Sequence, residues 1–259
     1  MSVSTPADVL NRILMAGDVA ASLWAEIDSG RIDELVPELP ALRMEQDPIH
    51  RHKDVLSHTV AVVAKTPADL TVRLAALFHD IAKPRTRSFE HGGVTFRHHE
   101  VVGARMTKKR MAAMGYDDSM VDTVSELVRM SGRFKGYADG WSDAAVRRYA
   151  RDAGPLLGQL NALIRSDCTT RNRAKADALQ ESIDDLERRI ADLAEEERRA
   201  AERPQIDGER VMEHLGIGPS REVGQIMRWL LELKRTDGEL PEAELLARLE
   251  RYYAEFTAS

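Results

Sequence analysis

Apolar residues recur along this chain with a helical period almost throughout. Leu70, Leu74, Leu77, Phe78 and Ile81 step by three and four residues, the spacing of one helix face. Pro67 is expected to open that helix and Pro84 to end it. Asp54 to Lys65 predicts a helix with Val55, Val62 and Val63 on its apolar side. Upstream, Thr5 or Asp8 is placed to cap a helix running to about Met15, with Pro6 near its start. A further helix is expected from Asp18 to Asp28, stopping at Gly30, and a short one ending near Pro37. Residues 85–97 carry Gly92-Gly93 between short β-prone pieces, which predicts a small hairpin or an ordered loop. Helices are then expected at about His99–Met114, Ser119–Met130, Ser142–Ala150 and Gly154–Ser166.

From Lys175 to Arg203 the pattern is a single long helix. Leu179, Ile183, Leu186, Ile190 and Leu193 alternate four- and three-residue steps, a heptad seam barely three heptads long. So short a seam suits a hairpin arm packed on a neighbour better than a free coiled coil. Pro204 ends it, and Val211–Leu215, Val223–Leu233 and Glu242–Phe256 form a small helical tail. The expected fold is all-α. Its expected parts are a neck-like segment over 1–48, a histidine-bearing bundle over 49–173, the arm over 174–203 and the tail over 204–259.

Composition narrows the setting. Hydrophobic residues make up 43% of the 259, enough for a sizeable core. The single cysteine, Cys168, cannot form an internal disulfide, which points to a reducing cytoplasm. No apolar run approaches the roughly 20 residues of a membrane span. Charge is uneven: residues 83–175 hold 18 Lys and Arg against 10 Asp and Glu, whereas both flanks are acidic. A basic middle suits a polyanionic ligand that meets one face, although ordinary solvated helix faces account for the charges as well.

Seven of the eight histidines fall between His50 and His99. They lie in HKDVLSHT (His52–Thr59), LAALFHDIAKP (Leu74–Pro84) and FRHHEVVGA (Phe96–Ala104), and LIRSDCTTRN (Leu163–Asn172) follows much later. His79 and Asp80 end an otherwise apolar helix, where two polar neighbours would be costly to bury unpaired. A metal ion removes that cost by taking imidazole nitrogen and carboxylate oxygen as ligands. His58, on the preceding helix, reaches the same end if the two helices run antiparallel. Asp167 follows the apolar Leu160, Leu163 and Ile164 and offers a fourth ligand. The alternative is a buried hydrogen-bonded network without an ion.

The order His58, His79-Asp80, Asp167 resembles the signature of the HD superfamily of metal-dependent phosphohydrolases. The wider context is similar to one branch, the helical body and HD region of bacterial CCA-adding tRNA nucleotidyltransferases and poly(A) polymerases. LVPELPALR (Leu35–Arg43), DAAVRRYARDAGPLL (Asp143–Leu157), DCTTRN (Asp167–Asn172) and PQIDGERVMEHLGIGPSREVGQI (Pro204–Ile226) carry that likeness. Three departures stand out. The sequence shows no Gly-Ser loop leading into an Asp-x-Asp pair, so nucleotidyl transfer is not expected from these residues alone. Ser131 and Lys135 stand where relatives often have histidines, and Ala82 replaces a common glycine.

The resemblance implies phosphomonoester or 2′,3′-cyclic phosphodiester hydrolysis at a nucleotide or RNA end. His58, His79, Asp80 and Asp167 would hold a divalent ion, with manganese, nickel, cobalt, iron or magnesium all compatible. His79, Asp80, Lys83 and His99 are the expected catalytic groups. Lys83 would place a cation beside phosphate, or would complement a helix C-terminus. His99 would contact phosphate or a second ion, or cap the helix it enters. His52 and Asp54 would support the ligands or cap a helix; His50, His91, His98 and His214 read as structural or solvated. Arg105, Lys108, Lys109, Arg147, Arg148 and Arg171 could follow an RNA backbone. Trp141 and Tyr149 could stack on bases, or belong to the core. The competing function is an RNA-binding body without hydrolysis, whose nucleotidyltransferase head is absent or separately encoded, or a remnant of a longer polymerase. A purely helical interaction protein would explain the arm but not the histidines.

Overall fold

Side-chain caps start most of the helices. In the computed structural model, which describes residues 4–44, 54–90 and 93–258, Thr5 forms a capping box with Asp8 and opens α1 (Pro6–Leu14). Asp18 caps α2 (Val19–Asp28), which is followed by the short α3 (Ile32–Leu35). Asp54 accepts the Ser57 N–H at 2.6 Å to open α4 (Val55–Lys65). Asp69, rather than Pro67, opens α5 (Leu70–Phe78), because its carboxylate accepts the Val72 N–H at 3.0 Å.

Pro84 likewise takes a different part from the one expected. The preceding helix is already over at Phe78, with His79 as its C-cap, and Pro84 sits in the first turn of α6 (Lys83–Thr86). A proline lacks the N–H that a first turn leaves unbonded, so it fits a helix start. The hairpin pairs β1 (Ser88–Glu90) with β2 (Gly93–Thr95) antiparallel, Phe89 opposite Val94. Then come α7 (His99–Met114), α8 (Asp118–Met130), α9 (Asp143–Ala153) and α10 (Leu157–Asp167). The long α11 (Arg173–Ala201) leads to α12 (Gly208–Leu215), α13 (Arg221–Asp237) and α14 (Glu242–Thr257). The fold is all-α apart from that hairpin, and no described helix is long and apolar enough to cross a membrane.

The chain divides into two compact units, Met1–Ala191 and Asp192–Ser259. In the first, α5 is the central element. Every residue from Val72 to Lys83 is buried, and α1, α4, α7, α8 and α10 all pack on this helix. A helix apolar on all sides belongs in the interior, and this placement carries whatever follows Phe78 into the interior as well.

The first half of α11 closes the bundle with Ile183 and Leu186, both buried. Arg165 on α10 bonds Asp184 at 2.6 Å and Glu187 at 2.8 Å, and Asn161 donates to Glu187 at 3.0 Å. Tyr149 is buried and donates its hydroxyl to Asn161, as a core residue does. The second unit has a core of its own: Val211, Ile226, Leu230, Leu245 and Leu249 from α12, α13 and α14. Trp229 stacks on Tyr252 beside it, ring centroids 4.2 Å apart.

Phe78 ends α5 and is fully buried. Phe78→Ala is expected to cost about 3–5 kcal/mol of stability, read by denaturant unfolding of the full chain. A cost below about 1 kcal/mol would contradict the central role of α5.

Candidate metal centre

The end of α5 places His79 and Asp80 3% and 1% exposed. A tight turn follows, in which the Lys83 N–H donates to the Asp80 carbonyl at 3.0 Å. His58, in the middle of α4, is also buried. Asp167 is the last residue of α10, and two contacts tie the chain after it to α4. Lys65 bonds the Cys168 carbonyl, and His58 Nδ1 lies 2.8 Å from Thr169 Oγ1.

Four donor atoms converge. His58 Nε2 is 2.9 Å from Asp167 Oδ1 and 3.6 Å from Asp80 Oδ2. His79 Nε2 is 3.5 Å from the same Asp167 oxygen and 3.2 Å from the same Asp80 oxygen. Donors about 2.1 Å from a common ion lie roughly 3.0 Å apart at right angles and roughly 3.4 Å apart in a tetrahedron. His58, His79 and Asp167 together form a cluster able to hold a metal ion.

The imidazoles are oriented for ligation. His79 Nδ1 donates to the Ala76 carbonyl at 2.7 Å, which leaves the lone pair on Nε2. That Nε2 is buried and has no hydrogen-bond partner, a state that costs free energy unless an ion or proton engages it. The Nδ1 of His58 lies 2.8 Å from the Thr169 hydroxyl, which turns Nε2 toward the carboxylates, and His99 Nδ1 lies 2.8 Å from the Phe96 carbonyl. The His58, His79 and Asp167 donors therefore fit a divalent ion, with the Asp80 carboxylate beside them.

Electrostatics support the same reading. Asp80 is wholly enclosed, and burial alone would favour its neutral form; His79, Lys83 and His58 outweigh that and keep it ionised. Lys83 Nζ is 2.7 Å from Asp80 Oδ2 and 5.6 Å from the Phe96 ring centroid. The Asp167 carboxyl is also held well below its usual range, because the neighbouring His58 and His79 imidazoles overcome burial. Burial opposes the charged form of His79, but the Asp80 and Asp167 carboxylates push it up to about 10.

His99 opens α7 after His98, whose φ of 62° turns the chain through the left-handed region. This turn buries His99 and brings its Nε2 within 3.5 Å of Asp80 Oδ1. Burial lowers the His99 pKa despite the nearby Asp80 carboxylate.

A pocket of about 520 Å³ covers the cluster, and Lys83, His99, Lys135 and Thr169 share its wall. Lys135 is held there by Glu100, Nζ to Oε1 3.0 Å. Gly132 leaves room for that carboxylate, since a Cβ there would stand 2.2 Å from Glu100 Oε1. None of Arg105, Lys108, Lys109, Arg147, Arg148 and Arg171 lines this pocket. Arg105, Lys108 and Lys109 are exposed along α7, with Lys108 bonded to Asp122 at 2.6 Å. Arg148 is exposed on α9, where Arg147 is half-buried, and Arg171 is exposed beyond Asp167. Asp54 caps α4; His50, His52 and His91 lie outside the described residues.

Sequence reasoning missed Thr169, Glu100 and Gly132. Thr169 follows Asp167 by two residues, and Glu100 adjoins His99, so adjacency to a ligand motif was the available signal. Gly132 gave none.

The chain belongs to the HD domain family, whose profile matches residues 55–254. It is 31% identical over 240 residues to an A-adding tRNA nucleotidyltransferase of Deinococcus radiodurans, covering 88% of this chain and 53% of that protein. It is 30% identical over 233 residues to a CC-adding tRNA nucleotidyltransferase of Thermus thermophilus, covering 86% of this chain and 50% of that protein. The chain thus spans about half the length of these curated relatives.

An imidazole ligates only when neutral on the ligating nitrogen, whereas the Asp80 and Asp167 carboxylates favour the protonated form of His79. Metal uptake near pH 7.5 is therefore expected to release about one proton per ion and to tighten as pH rises toward 9. Calorimetry in buffers of different ionisation enthalpy reads this directly. Uptake without proton release would show that His79 is neutral in the metal-free site.

Proposed function

We propose that this chain is a metal-dependent HD-type phosphohydrolase acting on nucleotide or RNA-end phosphoesters, either phosphomonoesters or 2′,3′-cyclic phosphodiesters. The observation that carries the reading is the convergence of His58, His79, Asp80 and Asp167 around an unpartnered buried Nε2. These four residues would hold the ion, with manganese, nickel, cobalt, iron and magnesium all suited to the donor set. A divalent ion polarises a phosphoryl group and acidifies water.

The protein's own groups supply the rest. Asp167 keeps 44% of its side-chain surface open while the other three ligands are enclosed, so substrate approaches from its side. Lys83 and Lys135 place two ammonium groups in the wall of the same pocket, where they offset phosphate charge. Lys83 also fixes Asp80 by their hydrogen bond. His99 Nε2, facing the other Asp80 oxygen, is placed to hold or accept a proton beside the phosphoester.

A second reading draws on the two tRNA nucleotidyltransferase relatives and the basic middle of the chain. Here the chain is a tRNA-binding body working with a nucleotidyltransferase head, and Arg105, Lys108, Lys109, Arg147, Arg148 and Arg171 follow the RNA backbone.

Metal analysis of the purified protein, paired with a metal-supplemented assay on 2′,3′-cyclic AMP and p-nitrophenyl phosphate, separates the two. The hydrolase is expected to carry about one ion per chain, and the double change His79→Ala with Asp80→Ala should cut turnover by more than about 100-fold. No ion and no turnover with any metal would sink it. Salt-sensitive tRNA binding that survives the double change would favour the second reading.

A further inference from the structure

Beside the metal centre lies a second chamber, of about 460 Å³, within the usual size for a small-molecule site. Its walls are mainly apolar and aromatic: Phe134 and Tyr137 from the segment after α8, Ile164 from α10, and Ala178 and Leu179 from α11. Phe134 is half-buried and stacks on the buried Tyr137, centroids 5.2 Å apart and planes 20° from parallel. The two chambers share Ser131, Lys135 and Asp167. Asp167 is also the exposed member of the metal cluster, so the open side of the cluster and the mouth of the apolar chamber meet at one residue.

We infer that this chamber seats the nucleobase of a nucleotide whose phosphate lies over the His58, His79 and Asp167 cluster. The inference rests on the phosphohydrolase reading for the phosphate end and adds what lies at the other end of the substrate. Three observations choose a base as the occupant. The chamber shares Ser131, Lys135 and Asp167 with the pocket over the metal cluster, so one ligand with a phosphate at one end reaches both. Lys135 stands on the shared wall, its ammonium paired with Glu100 and largely open to solvent, where it meets a phosphate placed between the two chambers. The stacked Phe134–Tyr137 pair offers a planar, polarisable surface, which suits a flat ring better than a flexible aliphatic chain. Nothing in the phosphate chemistry requires such a surface.

Calorimetric titration of the metal-free full chain with adenosine 5′-monophosphate and with ribose 5-phosphate tests the assignment. The two ligands share the sugar phosphate and differ in the base alone. The nucleotide is expected to bind roughly ten-fold tighter. Phe134→Leu should bring it down to the level of ribose 5-phosphate. That change touches the Tyr137 stack, so Ala178→Trp is the companion variant: Ala178 is exposed on α11, and a bulky side chain there fills the chamber without disturbing the core. It should abolish the base preference while leaving ribose 5-phosphate affinity and metal content unchanged. Equal binding of the two ligands, including no binding of either, overturns the inference, as does a base preference that survives Ala178→Trp. Base preference in a protein that hydrolyses no phosphoester would sink the hydrolase reading alone; hydrolysis without base preference would sink the subsite alone.

Discussion

The structure depends on how one enclosed carboxylate is compensated. Asp80 is 1% exposed at the end of a helix buried on every side, and an isolated carboxylate there would give up its charge. It remains ionised because Lys83, His79 and His58 surround it, with His99 facing its second oxygen. Those partners come from α4, α5, the turn into α6 and the start of α7. Compensating Asp80 therefore also sets the relative positions of these elements around the site.

That compensation is over-supplied with donors in one direction. The two imidazoles keep Nδ1 occupied by Ala76 and Thr169, so both Nε2 atoms face the carboxylates. His79 Nε2 is left without a hydrogen bond, and its proton affinity is raised by the two acids beside it. The charge that raises the proton affinity of His79 equally attracts a divalent cation. The same geometry leaves Asp167 as the accessible edge, and the hydrolytic and base-binding proposals both start from that edge.

Much of the fold was legible in the chain. Helix starts at Thr5, Asp18, Asp54 and Ser142 follow from short polar side chains that accept a backbone N–H three residues on; Asp69, Asp117 and Asp207 cap in the same way but were not expected as starts. The hairpin around Gly92-Gly93 and the long arm were equally readable. Pro67 and Pro84 misled because proline marks a helix boundary without saying on which side of the boundary the helix lies.

What the sequence alone determined is local: the all-helical period, the caps, the clustering of histidines, and the ordered motif of His58, His79-Asp80 and Asp167. Tertiary structure decided what touches what. It brought Thr169 to His58 across 111 residues and Glu100 to Lys135 across 35, and it turned Tyr149 inward. It also set an aromatic chamber against the open side of the metal cluster, joined through Asp167. A sequence pattern specifies which side chains share a helix face, because that depends on residues a few positions apart. Which faces meet depends on the packing of the whole bundle around α5, and no local spacing encodes it.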